Sequence, residues 1–333
     1  MSGRLIGVVL MVWLEAGSAG AEQSAAAPPA PTPPANDDCL ACHGDRDAKR
    51  DDGRAIAVEA NAFSQSTHGP LACVDCHADL AKLTEFPHAS KLQRVACGSC
   101  HDDIASKYRD SIHAWAKDKA GLVGAPACAG CHGTHDIRPH TDAASRVYRT
   151  RVPDTCGSCH AGVNEKFAAG VHAAALKKND TRAPSCADCH TAHTIRRVDT
   201  DAWRLKVTGE CGTCHAQVVD SFRRTFHGKV TELGFTSVAA CADCHGAHDI
   251  LPASNPQSMV AKARLVETCG KCHAGANARF VAYDPHPNPG DYRRSHVLWW
   301  ANRFYWVLIP GCFGFFGLHS ALWFWRTRKD GKP

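Results

Sequence analysis

The sequence predicts a mainly α-helical chain with extensive loops, little or no sheet and one C-terminal transmembrane helix. First, the pentapeptide Cys-x-x-Cys-His occurs nine times in 333 residues. Second, the middle of the chain is poor in Leu and Ile, so its apolar side chains alone cannot close a core around about 250 residues. Third, residues 304–325 contain no Asp, Glu, Lys or Arg, and 22 such residues can span a bilayer as a helix.

The pentapeptide is the attachment signature of a c-type haem, whose vinyl groups bond to the two thiols while the histidine ligates the iron. Zinc binding and disulfide formation are the alternatives for a single Cys-x-x-Cys, but a directly following histidine is typical of neither. We therefore expect nine covalent haems c, whose flat apolar rings supply the missing core. The expected attachment residues are Cys39, Cys42, Cys73, Cys76, Cys97, Cys100, Cys128, Cys131, Cys156, Cys159, Cys186, Cys189, Cys211, Cys214, Cys241, Cys244, Cys269 and Cys272. The motif histidines expected to ligate the irons are His43, His77, His101, His132, His160, His190, His215, His245 and His273.

A repeat organises the motifs, because first cysteines recur at the nearly evenly spaced positions 73, 128, 186 and 241. The first half of a unit reads Cys-Ala-x-Cys-His-x-x-His-x-Ile, as at 128–137, 186–195 and 241–250. The second half reads Cys-Gly-x-Cys-His, followed by an aromatic residue and then by a second histidine. The interval from the motif histidine to the second histidine is the same from His101 to His113 as in the next two copies, and it is one residue longer in the last copy. The opening unit is a degenerate half that carries Phe63 and His68 after Cys39.

These spacings predict that the second histidines reach neighbouring haems. Twelve residues of uninterrupted helix rise about 18 Å and turn away from the starting face, so the second ring cannot reach its own motif's iron. In His-x-x-His, both rings are expected on one helical face, where the second can approach a neighbour's iron. Cross-ligation of this kind would tie consecutive haems together.

A count of candidate ligands leads to two histidines on each iron. The mature chain contains one methionine, Met259, so methionine ligation is excluded for at least eight of the nine irons. The Cys73 unit has Leu80 where its siblings carry the second histidine; His88 is the nearest substitute, with His140 and His296 as alternatives. The repeat selects eight further ligands, which are His68, His113, His135, His172, His193, His227, His248 and His286.

Two function classes follow from this count. If every iron carries two imidazoles, none is open to substrate, and the expected function is electron transfer through low-potential centres with no catalytic residue. The alternative is an oxidoreductase with one catalytic haem of the nitrite, hydroxylamine or tetrathionate type, which often uses a Cys-x-x-Cys-Lys motif that this sequence lacks.

The formal charge of +5 is too small to indicate nucleic-acid binding. Nine haems at about −1 each would shift it to roughly −4.

Four segments are expected along the chain. Residues 1–21 read as a secretory signal peptide, with an uncleaved anchor as the alternative, and residues 22–36 form an Ala/Pro-rich linker. Residues 37–292 form the nonahaem domain, and residues 293–333 form a membrane anchor whose span covers about 304–325. Haem attachment occurs outside the bacterial cytoplasmic membrane, so we expect the haem domain on the periplasmic side of the inner membrane and the basic tail in the cytoplasm.

The expected span has aromatic residues at both ends, as transmembrane helices commonly do. His319 lies within it, and Gly311, Gly314 and Gly317 thin one helical face. Three interpretations of His319 remain: a ligand of haem b in a partner subunit, a hydrogen-bonding partner of quinone or of that subunit, and a neutral ring bonded to a backbone carbonyl.

The alternating units resemble the doubled-motif multihaem cytochromes c, related to the cytochrome c3 and octahaem types. The stretch 280–286, together with Phe315-Phe316-Gly317-Leu318-His319 and Leu322-Trp323, resembles membrane-anchored members that associate with a di-haem cytochrome b subunit. The resemblance implies respiratory electron transfer between the quinone pool and periplasmic redox proteins. Leu80 and the extra Cys39 unit depart from the octahaem pattern.

Overall fold

The computed structural model describes residues 32–331, which form helices and loops. Within that range the β pairing is limited to one isolated bridge between Lys49 and Ala55. The predicted mainly α fold with little or no sheet is confirmed. The helices in chain order are α1 (Asn36–His43), α2 (Ala60–Ser64), α3 (Cys73–Cys76), α4 (Asp102–Arg109), α5 (Ile112–Asp118), α6 (Cys128–His132), α7 (Val152–Gly157), α8 (Ala161–Ala169), α9 (Val171–Lys177), α10 (Cys186–His190), α11 (Asp201–Gly212), α12 (Ala216–Arg223), α13 (Phe226–Glu232), α14 (Cys241–His245), α15 (Leu265–Gly270) and α16 (His296–Asp330). Short 3-10 helices cover Ala78–Leu80, Cys97–Ser99 and Phe280–Ala282.

The predicted signal peptide, residues 1–21, and most of the predicted linker, residues 22–36, lie outside the described residues. Helices α2 to α15 occupy the range expected for the haem domain, α1 begins one residue before it at Asn36, and α16 falls in the range expected for the anchor.

The second halves that begin at Cys97, Cys156 and Cys211 each contain two short helices instead of the uninterrupted helix that the histidine spacing suggested. In the first such unit, α4 ends at Arg109 and α5 begins after Ser111, whose hydroxyl accepts a hydrogen bond from the backbone N–H of Ala114 at 3.2 Å. Gly170 and Thr225 take the same capping position before α9 and α13. A residue that caps a new helix has extended backbone angles, so it breaks the helix before it.

The protein core is sparse for a chain of this size. The buried hydrophobic residues in the described part are small or isolated, half of them alanines, and none of its large side chains is fully buried. The principal cluster contains Phe167, Ala173, Leu176 and Ala183. Side chains alone therefore do not hold residues 32–292 together, as expected for a fold organised around bound cofactors.

Helix α16 is 35 residues long and is long and apolar enough to cross a membrane. None of its residues is buried, and the side chains of Trp306 and Phe313 are 70% and 78% exposed. Ser295 caps its N-terminus by accepting a hydrogen bond from the N–H of Leu298. Pro310 lies within the helix, as prolines do in many membrane spans. The predicted C-terminal membrane helix is confirmed in length and composition.

Candidate functional site

The candidate site is a series of nine pairs of imidazole rings, in which each motif histidine faces one other histidine. The two ring centres are 6.0–6.4 Å apart in every pair. Two metal–nitrogen bonds of about 2 Å and two ring radii of roughly 1 Å add up to ~6 Å, so each gap fits one metal ion between the rings. The pairs are His43–His88, His77–His135, His101–His68, His132–His193, His160–His113, His190–His248, His215–His172, His245–His286 and His273–His227.

One class of second histidine reaches forward along the chain to the motif of the next second half. His113, on α5, lies against His160 and not against His101, the motif histidine of its own unit. The broken helix turns α5 away from the motif, so the ring is presented to the following unit. The same relation holds for the pairs His68–His101, His172–His215 and His227–His273.

The other class reaches backward to the preceding first half. His135, His193 and His248 lie against His77, His132 and His190, respectively. The expectation that both rings of His-x-x-His share one helical face is wrong. Helices α6, α10 and α14 end at the motif histidine, and the next residue has a positive φ. These residues are Gly133 (φ 86°), Thr191 (φ 63°) and Gly246 (φ 81°).

The first and last pairs depart from the repeat. His88 faces His43, and so takes the place that a histidine at position 80 would have filled. His296 stacks on Tyr292 at 4.4 Å, and His140 has no aromatic ring partner within residues 32–331. His286 resembles the forward class in spacing but faces backward to His245.

Backbone hydrogen bonds join the two classes and involve an isoleucine to which sequence reasoning gave no role. The residue directly before a forward-reaching histidine donates its N–H to the carbonyl of the isoleucine that ends a first-half motif. The bonds are Thr67 to Ile137 (2.8 Å), Ile112 to Ile195 (2.8 Å) and Val171 to Ile250 (2.9 Å). The sequence signal for these hydrogen bonds was the isoleucine that recurs at the same position of each first-half motif. Its carbonyl is the acceptor in all three bonds.

Burial lowers the pKa of several paired rings, among them His132 and His190, and so favours the neutral form that binds a metal ion. Burial lowers the pKa of His132, and the facing ring of His193 lowers it further. Burial likewise lowers the pKa of His190, where His248 is the facing ring. A charged imidazolium facing another would be disfavoured in each of these pairs.

In the first pair, hydrogen bonds define the tautomers. Nδ1 of His43 donates to the carbonyl of Ile56 at 2.9 Å, and Nδ1 of His88 donates to that of Ala89 at 2.8 Å. Each ring therefore keeps the lone pair of Nε2 free for a metal ion.

The thiols of consecutive motifs are neighbours. Burial, together with the adjacent thiol of Cys39, raises the pKa of the Cys73 thiol to about 11. The hydrogen bond with Cys186 raises the pKa of Cys156, and burial adds to that effect. Groups attached to consecutive motifs would therefore lie side by side along the chain. The same adjacency joins Cys97 to Cys128 and Cys211 to Cys241.

Aromatic side chains support several rings. Phe280 packs on His273 with ring centres 4.8 Å apart, and the buried Trp203 of α11 stacks face to face on His190 at 4.9 Å. The repeat indicated Phe280, whereas Trp203 stands at a position that tryptophan occupies in this unit alone and was not singled out.

Comparison with known proteins agrees with this geometry. Residues 46–160 match the model of the Class III cytochrome C family. This chain is a multihaem cytochrome c. It contains a class III cytochrome c region, and covalently bound haem c is the cofactor of that family.

Two curated relatives align with this cytochrome. One is the high-molecular-weight cytochrome c of Nitratidesulfovibrio vulgaris, 25% identical over 323 residues, which covers 84% of this chain and 53% of the relative. The other is the cytochrome c-type protein NrfH of Wolinella succinogenes, 28% identical over 105 residues, which covers 32% of this chain and 55% of the relative. The chain thus spans about half the length of these curated relatives. No solved structure matches it.

Proposed function

We propose that this cytochrome carries electrons along nine covalently attached haems c, each ligated by one of the nine histidine pairs. Haems 1 to 9 are numbered by their motif histidines, from His43 to His273. The observation that supports this proposal is the uniform ring separation of 6.0–6.4 Å at all nine motifs. Each haem, when bound, would supply a reversible one-electron iron couple, and the paired histidines would hold its iron and exclude other ligands.

A histidine on each side of every iron favours an electron carrier over an enzyme, because no iron is then open to substrate. Ligation by two imidazoles also lacks the thioether that raises the potential, so the haems are expected to be low-potential centres. Neighbouring thiols also join the remaining successive motifs: Cys76 lies near Cys97, Cys131 near Cys156, Cys189 near Cys214 and Cys244 near Cys269. Together with the pairs described above, they support electron transfer in motif order, from haem 1 to haem 9 or in reverse.

Helix α16 supports a proposal about the location of the protein. We infer that the haem domain lies on the periplasmic side of the bacterial inner membrane and that α16 is a single-pass anchor. Arg326, Arg328 and Lys329 follow the apolar stretch and favour a cytoplasmic C-terminus. We infer that the cytochrome exchanges electrons with a membrane cytochrome b subunit and the quinone pool on one side and with periplasmic redox proteins on the other, in respiration. The partial similarity to NrfH supports a membrane-associated role.

The cofactor proposal is tested by intact mass and by pyridine haemochrome analysis of the mature protein, which should agree on nine haems. The oxidised protein should lack a high-spin band, and the reduced protein should not bind carbon monoxide. A count of eight or fewer would contradict the nine-haem assignment, and binding of carbon monoxide by the native protein would favour the enzyme.

The topology is tested separately with reporters fused after residue 333. A fluorescent protein that matures only in the cytoplasm should be active, and alkaline phosphatase should be inactive. The reverse result would contradict the assigned orientation without affecting the haem count.

A further inference from the structure

We propose that Ser221 is a positioning residue for haem 8, and that its hydrogen bond to His286 lowers the potential of that haem relative to the same haem without the bond. This inference rests on the proposed ligation of haem 8 by His245 and His286. It concerns a residue outside the attachment motifs and outside the histidine repeat.

His286 needs support that the other backward-reaching histidines do not. His135, His193 and His248 each lie three residues after a motif histidine, so covalent attachment of the motif holds them in place. His286 instead lies far beyond His273, in a segment whose described secondary structure is one short 3-10 helix. Its ring is therefore positioned by contacts made after the chain leaves the last motif.

The first of these contacts is a directional hydrogen-bond relay from α12. The Oγ of Ser221 lies 2.7 Å from the carbonyl of Val218 and 3.2 Å from Nδ1 of His286. A hydroxyl has one hydrogen, which Ser221 donates to Val218, so its lone pair accepts from Nδ1–H of His286. The ring is held as the Nδ1–H tautomer, which leaves Nε2 for the iron.

Ser221 is suited to this task by its burial and by its place in the repeat. The residue is only 8% exposed, so water competes little for the bond. It lies six residues after His215; the same position in the two preceding units carries Lys107 and Lys166. The serine thus occurs on α12, which contacts His286, whereas a lysine takes its place on α4 and α8 of the two preceding units.

A second contact fixes the backbone of His286 to the start of the membrane helix. The N–H of His286 donates to Oδ1 of Asp284 at 2.8 Å. The Asp284 carboxylate in turn accepts two hydrogen bonds of 3.0 Å from Arg294, which lies two residues before α16. Ser221 and Arg294 therefore hold the ring and the backbone of the same residue from two directions.

The bond has a defined electronic consequence. An imidazole that donates from Nδ1 is a more basic ligand, and a more basic ligand stabilises ferric over ferrous iron. The redox step is the transfer of one electron from a neighbouring ferrous haem to ferric haem 8; the Nδ1 proton stays in place and no bond breaks. Loss of the acceptor should therefore raise the potential of haem 8.

The test uses the full-length holoprotein in detergent, with Ser221→Ala as the variant and Ser221→Thr as the control that keeps a hydroxyl. EPR-monitored redox titration follows the ferric low-spin components. In Ser221→Ala we expect one component to change its g values and its reduced-to-oxidised ratio to rise at least threefold at a fixed potential, equivalent to about 28 mV at 59 mV per tenfold. Ser221→Thr should keep the g values and the reduced-to-oxidised ratio of the wild type. An unchanged spectrum and titration in Ser221→Ala would overturn the proposal.

A second pair of variants separates this inference from the ligation on which it rests. His286→Ala should convert the same EPR component to high spin; if every component stays low spin, the ligation of haem 8 fails. If His286→Ala succeeds and Ser221→Ala changes nothing, only the role of Ser221 fails. Arg294→Gln should broaden the same component, whereas Arg293→Gln should not, because the Arg293 side chain forms no ion pair within residues 32–331.

Discussion

Replacing His135 with alanine should open the iron of haem 2 and leave that of haem 4 six-coordinate. His135 lies three residues after His132, the motif histidine of haem 4, so chain proximity alone would suggest the opposite. The ring of His135 faces His77 at 6.3 Å, however, while His132 faces His193 at 6.0 Å. In the structure, His135 therefore lies close in sequence to the motif of haem 4 but would ligate the iron of haem 2.

The expected magnitude is one new open coordination site per chain. Phe63 packs edge-on against the His135 ring, at 6.4 Å between centroids, and offers no atom that could replace the lost nitrogen. Reduced His135→Ala should therefore bind one carbon monoxide per protein, whereas the native protein should bind none. About one-ninth of the haem absorbance should change, and added imidazole should reverse the change by occupying the open site.

Two haem-deletion backgrounds identify the opened iron. Cys73→Ala with Cys76→Ala removes haem 2, and Cys128→Ala with Cys131→Ala removes haem 4. Adding His135→Ala should create a new carbon monoxide site in the background without haem 4 but none in the background without haem 2. The opposite pattern would refute the cross-pairing and assign His135 to its own motif.

Three further predictions concern stability. Thr191 has a positive φ of 63°, whereas the equivalent residues Gly133 and Gly246 are glycines. Thr191→Gly should therefore raise the free energy of unfolding of the holoprotein by about 1 kcal/mol, measured by denaturant titration. Gly133→Thr should lower the same free energy. Chemical removal of the haems should abolish most of the helical circular dichroism of residues 32–292, since the side-chain core is sparse; retention of the native signal would contradict a cofactor-organised core. The hydrogen bond from Arg294 holds the pKa of Asp284 below its usual value, so its stabilising effect should be complete above pH ~4 and should be lost as the pH falls through the depressed pKa. The stability difference between wild type and Arg294→Gln should therefore vanish in acid, and a difference that is independent of pH would contradict this assignment.

Local spacing was sufficient to predict that second histidines face the motifs of other units. The interval between His101 and His113 led to that prediction even though the helix between the two histidines is broken. The break itself depends on Ser111 as a cap, and a serine within a helix-compatible segment does not distinguish a cap from a solvent-exposed helical residue.

The direction in which each histidine reaches was not available from spacing. His286 has nearly the same offset as His113, yet one faces backward and the other forward. That choice depends on which motif lies nearby in space, and so on the packing of whole units. The contact of Ser221 with His286 joins positions 65 residues apart in sequence and has no local signature.

The interleaved pairing also means that no repeat unit of this chain before the last contains both histidines of any of its own pairs. Under the proposed ligation, haem 2 is complete only when residue 135 arrives, haem 5 joins residues 113 and 160, and haem 6 waits for residue 248. Each such iron closes a loop of about 50 residues, which restricts the unfolded chain by roughly 4 kcal/mol. A chain cut after residue 200 would hold haem 6 with one axial position empty. If the haems attach in chain order, the leading part of the chain would therefore pass through forms with open irons that the finished protein would lack.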